Sequence, residues 1–300
     1  MVKKSRRRFE IADVSYLTVV WLIIIISSLM VLLPILHVLA ASFSSSEAVI
    51  RGVYLWPRDF CLDGYTAVFQ NSKVLRGFVN SVLYTVIGTA FNVVMTICAA
   101  YPLARNKLHG RKTIMMLFVF TMLFSGGMIP TYLVVHRLKL VDTFWSMIFP
   151  TAINVYLMII ARTFFENTIP NDLYEAAHID GANDFQLFLY IAIPLSKAIC
   201  AVLALRYAVQ HWNDYYQAVL YIRSDGRQPL QIVLRNIMLA TNIDIDSMSA
   251  MDVEQYAKLK QLSYLLKYSL IVISTIPMLV LYPFIQKYFI HGVMIGAIKG

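Results

Sequence analysis

Three hundred residues with 59% hydrophobic and 14% charged content, at a mean hydropathy of +0.64, exclude an ordinary soluble globular chain and point to a polytopic membrane protein. The formal charge of +9 lies in Lys and Arg clusters beside apolar runs, the pattern of orientation signals and anionic-lipid contacts, which argues against nucleic acid as a partner. Three cysteines without CxxC or Cys/His spacing suggest no metal site, and the lack of a GxxxxGK(S/T) or GxGxxG loop places any ATP-driven step on another subunit.

A basic head, Lys3, Lys4, Arg6, Arg7 and Arg8, precedes an apolar run over about 14–41. That run exceeds the roughly 7 to 15 residues of a signal-peptide core, so it predicts a retained first span with residues 1–13 in the cytoplasm. Residues 43–77, polar and rich in turn formers, read as a first external loop. A second span is expected over about 78–103, and the basic turn from Arg105 to Lys112 behind it belongs inside as a topology anchor. In the third span, about 114–135, Ser125, Gly126, Gly127 and Pro130 weaken the helix and predict a bend or a close helix approach. An external turn at 136–144 leads to a fourth span over 145–165, and further spans are expected over 199–222 and 266–289. Between those two, residues 223–265 form an external segment that opens at Pro229 on an amphipathic stretch to about Ala240, with 247–255 as its tip. The predicted fold class is an all-α integral membrane protein of six transmembrane helices. Six spans then put a tail at 290–300 and both termini in the cytoplasm.

The most informative stretch is polar. Between the fourth and fifth spans, residues 170–197 present Asp172 through Ala182 to water, followed by Phe188, Ile191 and Pro194. Two short helices with a bend are expected: Pro170 ends the preceding helix, Asn171 is the candidate cap and Gly181 the bend. Ala176, Ala177 and Ala182 keep the surface slim enough for a partner's cleft, while Glu175 and Asp180 offer carboxylates to cationic or backbone donors.

Glu175-Ala176-Ala177, two residues, Asp180-Gly181-Ala182, then Phe188, Ile191 and Pro194 resemble the EAA loop of ABC importer permeases, the coupling helix that docks on a cytoplasmic ATPase. Ala198 stands where that family often has a second proline. Asn80-Ser81, Ala104-Arg105 with Gly110-Arg111, Gly126 through Tyr132, Trp212-Asn213-Asp214, Pro229-Leu230 and the ending Gly292 to Gly300 resemble, in the same order, MalG-type carbohydrate permeases. Within these they are similar to the polysaccharide-importer branch of YtcP-like and LplC-like proteins. The resemblance implies a type I ABC importer permease fold and a transport subunit that is not an enzyme. It further implies no cofactor on this chain, ATP and Mg in two partner ATPase subunits, and a second, MalF- or LplB-like permease. An extracellular solute-binding protein would meet the 223–265 loop, and the tail from His291 would insert along the ATPase dimer interface. The implied cargo is an oligosaccharide or polysaccharide fragment, with coupling roles for Glu175, Ala176, Ala177, Asp180, Gly181, Ala182, Phe188 and Pro194.

Arg206 lies near the centre of a span, a placement that costs a charge about 2.5–3.5 kcal/mol on insertion scales and normally faces a cavity or a partner. On a continuous helix Arg206, Gln210, Asn213 and Asp214 share one stripe, with the two charges roughly 12 Å apart along the axis. With Trp212 and Tyr216 nearby the stripe suits a wet saccharide path; snorkelling, or bonding within a permease heterodimer, fits Arg206 equally. Asn154 and Tyr156 in the fourth span are further path candidates. Other classes stay open: an ABC permease for a non-sugar solute, or an ion-coupled secondary transporter working through Arg206 and Asp214, which leaves the 175–182 plug unexplained. A membrane enzyme using His211 and Asp214 lacks a nucleophile or metal cluster.

Overall fold

The computed structural model describes residues 11–240, 261, 263, 264 and 266–283. The basic head, the loop tip at 247–255, residues 284–289 of the sixth span and the glycine-spaced tail lie outside the described residues. Two compact units are distinguished, residues 1–70 with 237–273 and residues 71–236 with 274–300.

In the first unit α1 (Ile11–Ser42) is one unbroken apolar helix whose side chains from Tyr16 to Leu36 are almost all exposed, as a lipid-facing span requires. Its end folds back through α2 (Ser46–Arg51), capped by Ser45, and α3 (Asp63–Gln70). The fold-back is closed by Ser42 Oγ against Tyr65 OH (2.9 Å), Phe43 stacked on Phe60 (5.8 Å) and Gln261 Nε2 donating to Ser46 Oγ (2.6 Å). The expected first loop is therefore partly helical.

The axis of the second unit is α4 (Ser72–Ala104). Asn71 Oδ1 accepts from the backbone of Lys73 (3.0 Å) and Val74 (3.3 Å), which starts the helix six residues before the expected boundary at 78. At about 1.5 Å per residue α4 is about 50 Å long, well beyond a hydrocarbon layer of about 30 Å, so its polar first turns continue the helix past the apolar run.

Three further crossings are broken. α5 (Arg111–Leu123) and α6 (Met128–Arg137) meet at 115°, with Gly127 at φ +87 in the break, as the Ser-Gly-Gly signal predicts. Two 3-10 turns, Phe144–Met147 and Phe149–Thr151, bend by 57° into α7 (Val155–Thr168). α8 (Asn171–Ile179) is followed by α9 (Asp184–Gln186), a π-helical turn Leu187–Ala192 and α10 (Ile193–Leu195). That segment from Asp184 bends by 77° into α11 (Lys197–Trp212), and α12 (Tyr216–Tyr221), α13 (Leu230–Ala240) and α14 (Leu266–Pro283) complete the order. Among the described residues three helices are long and apolar enough to cross a membrane, and six crossings result when each bent pair counts as one. The fifth expected span is not one helix to Ile222, because α11 stops at Trp212.

α4 packs on α7 and α11 through Ile97, Ala100, Tyr101, Met158, Ala161 and Leu203, and polar side chains lie inside the same interface. Asn92 Nδ2 donates to Thr151 O (3.0 Å) at the break before α7 and faces His211 Nε2 at 3.2 Å. Tyr207 OH accepts from Asn154 N (3.0 Å) and meets Thr96 Oγ1 at 2.6 Å. Gly88 makes room for His211: a Cβ there would stand 2.6 Å from Nε2 and 2.8 Å from Cδ2 and Cε1. Because that ring is buried and tied to Asn92, Gly88→Ala is expected to destabilise by about 1–3 kcal/mol through overpacking. A lower melting temperature of the detergent-solubilised protein checks this; an unchanged one would mean that the ring moves aside without cost.

Candidate functional site

The polar loop folds as a specified knuckle. Pro170, at φ −60 and ψ 141, sets the chain extended before α8, and Asp172 places a carboxylate in the first turn. Pro170 itself occupies the cap position, so Asn171, the expected cap, is the first helical residue. At the other end Gly181 N donates to His178 O (3.0 Å) and Ala182 N to Ala177 O (2.9 Å), a Schellman turn that Gly181 closes at φ +81. His178 Nδ1 lies 3.1 Å from Ala182 O and braces the same turn. The asparagine that caps is Asn183: its Oδ1 accepts from Gln186 N (2.8 Å) while Gln186 Oε1 accepts from Asn183 N (2.9 Å). That capping box is written in the sequence as Asn-x-x-Gln, the signal that identifies it.

The inner face of the knuckle rests on the Ala104 end of α4. Tyr174 is 3% exposed, and the Arg105 guanidinium carbon lies 3.4 Å from its ring centroid. Burial pushes the Tyr174 phenol up, with Arg105 pulling the other way. Tyr101 of α4 touches both halves of the loop, with ring centroids 4.9 Å from Phe188 and 6.4 Å from Tyr174. Ala177 and Ala182 pack into this core as well, which corrects the expectation that they shape the outer surface. Nearby, Glu166 accepts from Arg162 (2.6 Å) and Arg111 (3.2 Å), and those two arginines also bind the last carbonyls of α4, Leu103 O at 3.0 Å and Ala104 O at 3.2 Å. The basic turn is therefore a brace as well as an orientation signal. What faces outward is Glu175, Ala176, Asp180 and Gly181, flanked by Ile179 at 86% and Phe185 at 70% exposure, with Pro194 also exposed.

The expected path residues separate. α11 ends at Trp212, so Arg206 and Asp214 do not share a helical stripe. Trp212 is buried, donating its indole N–H to Ser274 O (2.9 Å) with its ring edge on Phe78, and so belongs to the core and not to a lining. Asn213 bonds Val209 O, Asp214 Oδ1 accepts from Gln217 N (3.1 Å) at the start of α12, and Asn154 caps α7 through Leu157 N (3.2 Å). Arg206, Tyr156 and Tyr216 are exposed and Gln210 is half-buried.

At the Ser72 end of α4, Asp142 anchors the loop after α12. Its Oδ1 accepts from Arg223 N (3.1 Å), Ser224 N (3.0 Å) and Ser224 Oγ (2.8 Å), and Arg227 pairs with it. The Ser224 backbone N–H, followed by the other donors, holds this carboxyl below its usual range, so the anchor stays ionised above that lowered value and is lost only as pH falls through it. Asn80 Nδ2 donates to Gly226 O and Gln228 O, both at 3.0 Å, and Tyr84 OH donates to Arg227 O (3.0 Å).

The family described as binding-protein-dependent transport system inner membrane component matches residues 64–293. The chain is 41% identical over 302 residues to protein LplC of Bacillus subtilis (strain 168), covering 99% of this chain and 97% of that one. It is 43% identical over 274 residues to the polygalacturonan/rhamnogalacturonan transport system permease protein YtcP of the same organism, at 91% and 94% coverage. A solved bacterial ABC transporter involved in the import of the acidic polysaccharide alginate superposes with a TM-score of 0.85 at 30% identity, covering 94% of this chain and 99% of that one.

A desolvated cation over a ring is worth up to about 2 kcal/mol. Arg105→Ala is therefore expected to speed amide exchange in Asn171–Ile179 by about tenfold while α11 exchanges as before, read by hydrogen-exchange mass spectrometry; unchanged exchange in α8 would mean that the aromatic contacts hold it alone.

Proposed function

The chain belongs to the inner membrane components of binding-protein-dependent transport systems, a transport subunit and not an enzyme, and on that premise we propose that it is one of two permeases in an ATP-driven saccharide importer. The knuckle at 170–197 is the contact with an ATPase, and the observation that carries this is its construction: a capped, glycine-closed turn that buries Tyr174 and leaves Glu175, Ile179, Asp180 and Phe185 outward. The apolar pair fills a cleft and the carboxylates engage its cationic or backbone donors.

In this reading the Ala104 end of α4 faces the cytoplasm, together with both termini, and the Asp142 anchor faces outward, where α13 meets an extracellular solute-binding protein. A second permease of the MalF or LplB type completes the pathway, and two ATPase subunits hold ATP and Mg; no cofactor binds here. ATP closes the ATPase pair, their clefts move the knuckle as a rigid body, and the Tyr101–Phe188 and Arg105–Tyr174 contacts pass that displacement to α4. The bends at the three broken crossings absorb it and switch access from one side to the other. The cargo is an oligosaccharide or a polysaccharide fragment, as the names of YtcP and of the alginate importer support. Exposed Arg206, Tyr156 and Tyr216 and half-buried Gln210 are the path residues that keep this role.

Glu175→Arg reverses an outward charge, and Gly181→Val forces a β-branched residue into the left-handed region at a cost on the order of 1–3 kcal/mol. In membranes with the partner subunits, both variants are expected to lose co-purifying ATPase or saccharide-stimulated ATP hydrolysis. Transport by a chain that carries no ATPase would overturn the assignment.

A further inference from the structure

Aromatic and basic side chains gather where α6 meets the end of α12, on the Ser72 side of α4. Tyr132 and Tyr221 are parallel, with centroids 6.1 Å apart and planes 3° apart, and His136 stacks on Tyr132 at 6.1 Å. Arg223 Nη2 donates to Tyr132 OH (2.9 Å), while its backbone N–H is pinned to Asp142. Tyr216, exposed at the first turn of α12, places its hydroxyl on Met128 Sδ at the first turn of α6.

The charge balance of this cluster is unusual. The Asp142 carboxylate is taken up by Ser224 and Arg227, so that among the described residues the Arg223 guanidinium donates to a neutral phenol and pairs with no carboxylate. A guanidinium has five N–H donors in a fixed fork that matches a carboxylate, and one of them is engaged here. Arg137 and Lys139, both exposed on the same turn, add positive potential. The backbone hydrogen bond to Asp142 fixes the main chain at Arg223 and the bond to Tyr132 OH aims the fork, and preorganisation of this kind serves binding more than stability.

We propose that Arg223, Tyr132, His136 and Tyr216 form a subsite for a carboxylate-bearing saccharide, a uronic acid unit, which makes acidic oligosaccharides the preferred cargo. This rests on the saccharide-import reading and sharpens it. A neutral sugar gains only stacking of its C–H faces on the rings. A uronate gains in addition two charge-assisted hydrogen bonds from the free edge of Arg223, roughly twice as strong as neutral ones.

The test uses the purified permease and ATPase complex without its binding protein, so that any selectivity is the permease's own. Titration calorimetry with a galacturonate trisaccharide and with a neutral glucose trisaccharide gives a ratio of dissociation constants. The wild type is expected to favour the acidic sugar, less so at high salt. Arg223→Gln should cut the preference roughly tenfold or more, the change expected for losing one hydrogen bond to a charged group. Arg223→Lys should restore part of it, and Tyr132→Phe, which keeps the ring but removes the hydroxyl that aims the guanidinium, should lower it less. Equal weakening of both sugars by Arg223→Gln would reduce Arg223 to an anchor of the loop and overturn the subsite. A wild type that favours the neutral sugar, or binds neither while its ATPase still responds to saccharide-loaded binding protein, would overturn the subsite and leave the import reading standing. A complex whose ATPase responds to no saccharide-loaded binding protein would overturn both.

Discussion

Inside a bilayer a broken helix frees backbone groups that no water can satisfy, and in the second unit this constraint decides which residues are buried. Three crossings are broken, and at the break before α7 the freed groups are met by side chains of α4 and α11, Asn92 on Thr151 O and Tyr207 on Asn154 N, while Ser196 Oγ donates to Ala192 O (2.6 Å) beside the break before α11 and Arg162 closes the end of α4 at Leu103 O. Toward the Ser72 end of α4, Ser81 Oγ accepts from Leu230 N (2.8 Å). Among the described residues Asn92, Ser81 and Ser196 are nearly inaccessible, and each satisfies a backbone group at a helix end or break.

Fold and knuckle were legible in the sequence to different depths. Apolar runs located the crossings, and the Ser125-Gly126-Gly127 break and the Gly181 bend followed from glycine's access to positive φ. Ends were less legible: α4 begins in a segment polar enough to read as loop, because Asn71 supplies two cap bonds and a helix that leaves the hydrocarbon needs no apolar surface. Asn171 was the wrong asparagine, although the Asn-x-x-Gln spacing at Asn183 separates the two.

Side-chain direction was the least legible property. Trp212, Asn213, Asp214 and Asn154 have the chemistry of a sugar path, yet each satisfies a helix end or a neighbouring backbone group. A helical stripe presupposes a continuous helix, and the polar run His211-Trp212-Asn213-Asp214, whose chemistry suits a lining, is where α11 stops. Arg105 and Arg111 illustrate the converse. Charge alone assigns them to the side of the membrane, while the Tyr174 ring under Arg105 and the Glu166 carboxylate beside Arg111 lie on segments distant in sequence and come into reach only through the packing of the fold.

These contacts determine where the second unit can bend. The knuckle is tied to α4 by rings and a guanidinium, and α4 is tied by polar pegs to the crossings that begin at Phe144 and Asp184. Packed interiors transmit strain and do not deform continuously, so in the proposed coupling a displacement applied at Glu175 and Asp180 would not be dissipated along α4. It would be relieved where the hydrogen-bond ladder is already interrupted: at Phe124–Gly127, between Thr151 and Val155, and at Ser196, after the π-helical turn Leu187–Ala192. Asn92 and Tyr207, which make the break before α7 tolerable in lipid, also hold it against α4 and α11, so that in the proposed coupling the bend angle there would be the softest coordinate.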